Sequence, residues 1–143
     1  MVMDFRRISR HLLMLPGAVS RAFPASAMTA IEQAIAKSER EHSGEVRFAV
    51  EPALDTSALL AGESARERAL EVFSHWRLWD TDARNGVLIY LLLADRDIEI
   101  VADRGVAAKV STSEWEATCR EMEASLRNGD YGGAVVRGVG TAS

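Results

Sequence analysis

Residues 87–93 read Val-Leu-Ile-Tyr-Leu-Leu-Leu, and this run decides the fold because it has no charged position. A strand with one wet face alternates apolar and polar side chains, whereas a strand covered on both faces gives a continuous apolar run. The polar, turn-forming residues 80–86 precede it and set its start. We therefore predict an interior strand with helices above and below it.

Two further strands are predicted on either side of this run along the chain. Residues 45–51, Glu-Val-Arg-Phe-Ala-Val-Glu, alternate between a more apolar and a more polar face. After the run, Asp95-Arg-Asp97 gives a very short link to the strand expected at 98–103, and so short a link favours an antiparallel hairpin. The sequence thus predicts a small central mixed sheet that includes an antiparallel hairpin.

Capping signals predict the helices that cover this sheet. Thr29-Ala-Ile-Glu32 and Ser64-Ala-Arg-Glu67 have capping-box sequences, so we expect one helix to begin at Thr29 and another to run from Ser64 to about Trp79. Later in the chain, four residues recur at helical spacing: Trp115, Cys119, Met122 and Leu126. A short helix is also expected over 130–140. The fold class is α/β, a three-layer α/β/α sandwich.

Each tryptophan is either buried in the core or exposed at a binding surface, because aromatic residues dominate both cores and interfaces. Trp76 and Trp115 fall on the apolar stripes of their helices, so we expect them in the core. Trp79 lies beside the polar loop, and it is either a core residue or the mark of a partner-binding edge.

Composition excludes several classes of protein. A chain of 143 residues with 48% hydrophobic content can bury one core. The longest apolar run, residues 87–94, is far shorter than the roughly 20 residues of a membrane helix, so no transmembrane segment is expected. The one cysteine, Cys119, excludes an intramolecular disulfide, and its place on a helical stripe indicates a buried structural thiol.

Charge divides the chain into an N-terminal segment, 1–27, and a domain, 28–143. The segment has four arginines against one aspartate, and the domain has thirteen basic against twenty acidic side chains. An acidic domain argues against nucleic-acid binding. Residues 4–15 are predicted to form an amphipathic helix that docks on the domain with its arginines on the other face; its apolar stripe is Phe5, Ile8, Leu12 and Leu15. Weak contact with an anionic membrane and a signal-like segment for export are the alternatives.

An ordered set of short elements resembles the TPM domain family over Ile31 to Val139. The elements are Ser43-Gly44-Glu45, Arg68-Ala-Leu-Glu-Val-Phe73, Asn85-Gly-Val-Leu88, Arg96, Asp103-Arg-Gly105 and Leu126-Arg-Asn-Gly-Asp-Tyr131. The resemblance implies a sheet between helical layers, which agrees with the pattern above. It is closest to a short, soluble, proteobacterial-type member without export signal or membrane tail, and this implies a cytoplasmic location.

The resemblance also implies candidate roles, since the family is associated with calcium binding and acid phosphatase activity at a cleft of acidic loops. The chain departs from the usual family pattern at two points: Arg84 precedes Asn85-Gly86 where an aspartate is common, and Asp103-Arg104-Gly105 replaces a Gly-x-Gly. Each change alters the charge expected in the cleft.

The candidate site is a cleft formed by loops 80–86, 95–97 and 103–106. Calcium takes six to eight oxygen ligands, so several carboxylates would have to converge there. The metal candidates are Asp80, Asp82 and Asp103, and the binding candidates are Asp82, Arg84, Asn85, Arg96 and Arg104. We find no phosphate-cradling glycine loop and no histidine-rich metal cluster in the sequence.

These observations favour a non-catalytic binding or interaction module with a protein partner, its identity open, and with calcium as the one cofactor considered. Two other hypotheses stay open. One is a metal-assisted phosphatase acting through Asp82, and the other is a peripheral membrane adaptor acting through residues 4–15.

Overall fold

A three-stranded sheet lies at the centre of the computed structural model, which describes residues 5–14, 17–41, 45–80, 84–107 and 112–127. The elements in chain order are α1 Phe5–Leu12, α2 Ala18–Ala22, α3 Ala25–Glu41, β1 Glu45–Glu51, α4 Thr56–Leu60, α5 Ala65–His75, β2 Gly86–Leu92, a 3-10 turn Leu93–Asp95, β3 Asp97–Ala102, α6 Arg104–Ala107 and α7 Thr112–Arg127.

The sheet is mixed and has the order β1-β2-β3. β1 runs parallel to β2, with Val46 beside Val87, and β3 runs antiparallel to β2, with Val101 beside Leu88. Every residue of β2 is buried. The prediction of an interior strand and of an antiparallel hairpin is therefore confirmed.

Two apolar clusters cover the two faces of the sheet. The first contains Ile31 of α3, Met122 of α7 and the β2 residues Val87, Ile89 and Leu91. The second contains residues of α5 packed against the other side of β2; its members include Ala69, Val72, Phe73, Leu88, Tyr90 and Leu92. Because alternate residues of β2 enter opposite clusters, the fold has helix, sheet and helix layers, as expected for the α/β class.

Helix starts agree with the sequence at one position and differ at another. At α5 the Ser64 hydroxyl accepts a hydrogen bond from the Glu67 amide, and the Glu67 carboxylate accepts one from the Ser64 amide, so the predicted capping box is present. The predicted start at Thr29 is wrong, because α3 begins at Ala25. Pro24 precedes Ala25, and its carbonyl accepts from the Met28 amide at 3.1 Å. Pro24 is therefore the N-cap residue of α3, where its missing N–H leaves no helical hydrogen bond unmade.

The end of α5 also differs from the prediction, since the helix stops at His75 and not near Trp79. Arg77 adopts a left-handed φ of 55°. Its amide donates to the Ser74 carbonyl, and the Leu78 amide donates to the Phe73 carbonyl. This is the Schellman arrangement, which satisfies the last carbonyls of a helix and usually has glycine at the left-handed position. Because Arg77 occupies this position, the sequence lacks the glycine that would mark the end of the helix.

Helix α1 contacts the turn that follows β2, but with a face that is rotated from the predicted one and shares only Ile8 with it among the described residues. Phe5 and Leu12 of the expected docking stripe are 72% and 63% exposed, whereas His11 is buried and Ile8 packs on the second cluster. The physical reason is Asp95, a half-buried carboxylate that draws the basic side of the helix inward.

Some predictions fall on parts of the chain outside the described residues. The short helix expected over 130–140 is among them, as are the side chains of Trp115, Cys119 and Leu126. Of that helical stripe, Met122 is described, and it is fully buried in the first cluster.

Candidate functional site

The segments on either side of the β2–β3 hairpin meet at the N-terminal end of β2. The Asp103 amide donates to the Gly86 carbonyl at 2.9 Å, and the Gly105 amide donates to the Arg84 carbonyl at 2.7 Å. Residues 84–86 and 103–105 therefore form one edge of the molecule, which we call the loop edge. Arg84, Asn85, Asp103 and Arg104 of the predicted cleft all lie on it.

Arg96 lies at the other end of the sheet. It follows the 3-10 turn between β2 and β3, so the seven residues of β2 separate it from Arg84. At about 3.3 Å per residue, this separation is about 20 Å. The structure thus brings loops 84–86 and 103–105 together and leaves loop 95–97 apart, because the turn of a hairpin always lies opposite its open end.

Gly86 explains why the loop edge is tightly closed against the end of α5. A Cβ atom added to Gly86 would lie 2.1 Å from the carbonyl oxygen of Leu78. No side chain can occupy that position without moving backbone. Gly86 is therefore a packing requirement at this point.

The two described metal candidates, Asp80 and Asp103, have different partners. Asp80 pairs with Arg77 at 2.9 Å and is 58% exposed at its side chain. Asp103 accepts from the Arg104 amide through Oδ1, while its Oδ2 is buried and has no hydrogen-bond partner among the described residues. Asp82 lies outside the described residues.

A calcium ion is a poor match for this donor set. It takes six to eight oxygens, and among the described residues Asp103 offers one carboxylate oxygen while Arg84 and Arg104 add positive charge to the same edge. Across the described ranges no group of three or more His, Cys, Asp and Glu side chains is placed to hold a metal ion. The described residues alone therefore do not complete a calcium site, and the metal candidates Asp80, Asp82 and Asp103 stay a prediction.

Two exposed tryptophans follow α5. Trp76 is 46% exposed and Trp79 is 42% exposed, so the expectation that Trp76 belongs to the core is wrong. The Arg77 guanidinium stacks over the Trp79 ring at 5.4 Å, and an Arg84 terminal nitrogen donates to the Trp79 carbonyl at 3.3 Å. Trp76 is the C-cap of α5, where the Schellman turn aims it away from the core stripe.

A groove of about 630 Å³ runs between β1 and α5. Its walls are Phe48, Ala49, Val50 and Glu51 from the strand side and Arg68, Glu71, Val72, His75 and Trp76 from the helix side. A second cavity, of about 600 Å³, shares Glu51, Arg68 and Glu71 with it and continues past Asp55 and Glu63. We call the two together the β1 groove.

Two polar side chains that line this groove, Glu51 and Arg68, form a network with the buried Tyr90. Arg68 donates to both carboxylate oxygens of Glu51, at 2.7 and 3.1 Å, and the Tyr90 hydroxyl donates to Oε1 of Glu51 at 2.7 Å. Burial tends to raise the pKa of Glu51, yet the hydrogen bonds from Arg68 and Tyr90 outweigh it and hold that pKa below its usual value. Burial and the neighbouring Glu51 raise the pKa of Tyr90.

This network is better suited to structure than to proton transfer. Glu51 is ionised and already accepts three hydrogen bonds, so it is a poor general base. Sequence reasoning missed it, because Glu51 ends one strand and Tyr90 lies inside an apolar run. The signal was available in the register: Tyr90 stands beside Ala49, two residues before Glu51, once β1 and β2 are aligned in parallel.

The chain is similar to known proteins in sequence and in fold. The profile of the TPM domain matches residues 20–143. The chain belongs to the TPM domain family. The NMR structure of the BA42 protein from the psychrophilic bacterium Bizionia argentinensis is similar, with a TM-score of 0.72 and 28% sequence identity over 84% of this chain and 78% of that one. No curated protein matches the sequence.

Within this TPM domain the loop edge has two arginines, Arg84 and Arg104. Arg84 has a left-handed φ of 53°, an uncommon conformation for a residue with a long side chain. Both Arg84 and Arg104 are exposed. Arginine fits the recognition of anionic or aromatic groups better than the binding of a cation.

The helices of this TPM domain give no sign of a membrane span. In the described ranges, none of them combines the length and the apolar content that crossing a bilayer requires. The cytoplasmic location suggested by the sequence stays a prediction.

Proposed function

We propose that this TPM domain is a non-catalytic interaction module that binds an extended segment of a partner protein in the β1 groove. The observation that carries the proposal is the position of β1. It is an edge strand that pairs with β2 on one side, and no strand among the described residues pairs with its other side. The groove lies directly along residues 48–51 of that strand.

An edge strand offers backbone amides and carbonyls to an added strand, and neighbouring pockets then select alternate side chains of the incoming peptide. Trp76 stands at one end of the groove, and half-exposed tryptophans are frequent anchors of binding energy. A partner segment paired with β1 would place an apolar side chain against Val72 and Trp76.

Charge defines the chemistry of the partner. The groove has the carboxylates of Glu51, Asp55, Glu63 and Glu71, and Arg68 is the arginine among its lining residues. Since Arg68 is engaged by Glu51, the remaining acidic side chains favour a basic segment. We therefore expect Lys or Arg in the part of the segment that reaches Glu71 and Asp55.

The loop edge extends this proposed surface. Trp79 follows Trp76 by three residues and is held by Arg84, so a partner that fills the groove can continue over Trp79 towards Arg84 and Arg104. The sequence candidates Asp82 and Asn85 belong to the same segment of chain. Arg96 has no part in this surface, because it lies at the far end of β2.

A peptide selection tests the proposal. A random dodecapeptide library displayed on phage is selected on the full chain, and the binding of the enriched peptides is measured by fluorescence polarisation. We expect enriched sequences with Lys or Arg and with alternating β-branched or aromatic residues. Trp76→Ala should weaken them about thirtyfold, the loss typical of an aromatic anchor. The matched control is Leu70→Ala, which removes an exposed apolar residue of α5 that does not line the groove.

A second measurement distinguishes strand addition from other binding. Methylating alternate backbone amides of an enriched peptide should abolish binding in one register only, because an added strand uses every second amide. The proposal fails if no peptide is enriched, if Trp76→Ala and Leu70→Ala have equal effects, or if methylation in both registers is harmless.

Helix α1 supports a second candidate, a peripheral membrane adaptor. Phe5, Leu12 and Leu13 point away from the core and are among the most exposed large apolar side chains described. Cosedimentation with vesicles of phosphatidylcholine and phosphatidylglycerol tests this role. Leu12→Asp should reduce pelleting if the helix inserts, and Leu60→Asp, at another exposed leucine, is the control. Equal recovery in the supernatant with and without anionic lipid would exclude the adaptor.

A further inference from the structure

A separate cavity of about 620 Å³ lies between α1, α2 and the 3-10 turn, at the end of the sheet away from the loop edge. Its apolar wall is formed by small or flexible side chains, namely Met14, Ala18, Ala22, Leu93 and Ala94. Its polar wall has three arginines and one carboxylate: Arg10, Arg21, Arg96 and Asp95. The volume is in the range of small-molecule sites.

The negative charge of the carboxylate in this cavity is already compensated by neighbouring donors. Asp95 accepts from Arg7 at 2.9 Å, from Arg10 at 3.2 Å and from Nε2 of His11 at 2.9 Å. These three hydrogen bonds outweigh the effect of burial and hold the pKa of Asp95 below its usual value. The arginines lining the cavity therefore leave a net positive charge there, although the whole chain is acidic.

Arg10 is held in place at the cavity wall. Its Nε donates to the Ala94 carbonyl at 3.2 Å while a terminal nitrogen donates to Asp95. A guanidinium fixed in this way is preorganised, so a ligand that binds it does not have to order a mobile side chain.

Arg96 contributes the positive group that is most available to a ligand. Its guanidinium makes no ion pair or hydrogen bond within the part of the chain that the structure describes, and the residue is exposed. Its backbone has a left-handed φ of 49°, which glycine or asparagine would adopt at lower cost. A long cationic side chain at a position that favours glycine indicates that the side chain itself is used.

We propose that this cavity binds a small organic anion, a carboxylate or phosphate monoester that carries a short apolar chain. The guanidinium groups of Arg10, Arg21 and Arg96 would hold the anionic head, since arginine matches both carboxylate and phosphate with paired N–H donors. Met14 and Leu93 would contact the chain. This site goes beyond the proposed peptide groove and does not depend on it.

Calorimetric titration of the full chain with three probes tests the head group. Octanoate and octyl phosphate are expected to bind with a stoichiometry of one, whereas octylammonium, with the same chain and the opposite charge, is expected not to bind. If octyl phosphate binds more tightly than octanoate, the site selects phosphate monoesters; the reverse order assigns it to carboxylates.

Variants then locate the binding. Arg96→Gln should weaken octanoate and octyl phosphate about tenfold, the usual effect of losing one charge-assisted pair, and Arg96→Lys should recover part of the loss. Arg120→Gln removes an exposed arginine of α7 that does not line the cavity and should leave the affinity for both anions unchanged. Arg21→Gln provides an independent variant on α2 and should weaken both anions as Arg96→Gln does.

Three results would each overturn the proposal: no binding of either anion at millimolar concentration, equal binding of octylammonium, or unchanged affinity in both Arg96→Gln and Arg21→Gln. Vesicles containing phosphatidylglycerol supply a further arm. If the chain binds those vesicles and neither soluble anion, the arginines serve a membrane surface and the cavity is not a small-molecule site. The peptide-binding assay of the β1 groove should be unaffected by Arg96→Gln.

Discussion

Nε2 of His11 lies 2.9 Å from Oδ1 of Asp95, across 84 positions of sequence. The other ring nitrogen, Nδ1, accepts a hydrogen bond of 3.0 Å from the Leu54 amide. Because Nδ1 accepts, the proton is on Nε2, and the ring is neutral when both bonds are made. One buried imidazole thus joins α1, the turn after β2 and the loop after β1.

Replacing this imidazole should be costly. In His11→Ala the Leu54 amide is left buried without its partner, and Asp95 loses one of its three donors. We expect unfolding free energy to fall by about 2–4 kcal/mol, measured by urea denaturation. His75→Ala, at an exposed histidine, should change it by less than about 0.5 kcal/mol. Equal stability of the two variants would show that the hydrogen bonds of His11 do not contribute to the free energy of unfolding.

Glu99 should make stability depend on pH. Burial first, and then the hydrogen bond and charge of Asp97, raise the pKa of Glu99 to about 7, with a smaller contribution from Glu123 and an opposing one from Arg66. A raised carboxyl pKa means that stability is greatest at acid pH and falls as pH rises from about 4.5 to about 7. Since the side chain is only half buried, the loss is about 1 kcal/mol.

The variant Glu99→Gln tests this effect. It should be more stable than the parent chain at pH 8 and should lose most of the pH dependence between 5 and 7, roughly the window between the ordinary and the raised pKa. Glu32→Gln, at an exposed glutamate of α3, is the control. A parent chain whose urea midpoint is flat over this window would contradict the prediction.

Tyr90→Phe removes the hydrogen bond to Glu51 and keeps the ring in the core. We expect a loss of about 1.5 kcal/mol, because the acceptor is charged. The folded pKa of Glu51 is lowered, so its contribution is present above the ordinary pKa of 4.5 and is lost as pH falls below it. The double-mutant cycle with Glu51→Gln should therefore give a coupling energy at pH 7 that declines as the pH falls below 4.5. Additive effects at pH 7 would rule out a coupled pair.

Gly86→Ala should destabilise the chain by about 3 kcal/mol or more, because the new methyl group would collide with the backbone carbonyl of Leu78. Thermal unfolding followed by circular dichroism measures the effect. Gly62→Asn is the matched control: Gly62 has a φ of +75° with open space around its Cβ position, and asparagine tolerates that conformation at a cost of about 1 kcal/mol or less. The packing interpretation fails if Gly86→Ala is as stable as Gly62→Asn.

Asp82 decides the two roles that the sequence left open. For a non-catalytic module we expect no hydrolysis of p-nitrophenyl phosphate that is lost in Asp82→Ala, and no saturable calcium binding by calorimetry. Turnover that disappears in Asp82→Ala, together with an unchanged circular dichroism spectrum, would establish the phosphatase. Calcium binding that needs both Asp82 and Asp103 would establish the metal site.

The layers of the fold could be predicted because they depend on short-range patterns. Residues 87–93 are apolar throughout, and only an interior strand satisfies that pattern at this length. The helix ends were harder to predict, since Arg77 occupies a left-handed position without the glycine that usually marks it. The capping-box sequence at Thr29 predicted a later start of α3 than the structure has, and Pro24 lies at the observed start.

The candidate site depends on contacts between distant residues, which explains why less of it was predicted. The hairpin predicts that Arg84 and Asp103 lie close together. The same hairpin places Arg96 at the opposite end of the sheet from them. The groove with Glu51, Arg68 and Tyr90 requires the parallel register of β1 and β2 and the angle of α5. The rotated face of α1 follows from a half-buried aspartate whose partners lie more than 80 residues away.

Helix α1 is fastened by its charges and leaves Phe5 and Leu12 in water. These ion pairs should weaken as ionic strength increases, whereas an apolar contact would become stronger. The N-terminal helix should therefore be held less firmly in salt or beside a competing polyanion, and its release would uncover Ile8 and the Leu54 amide.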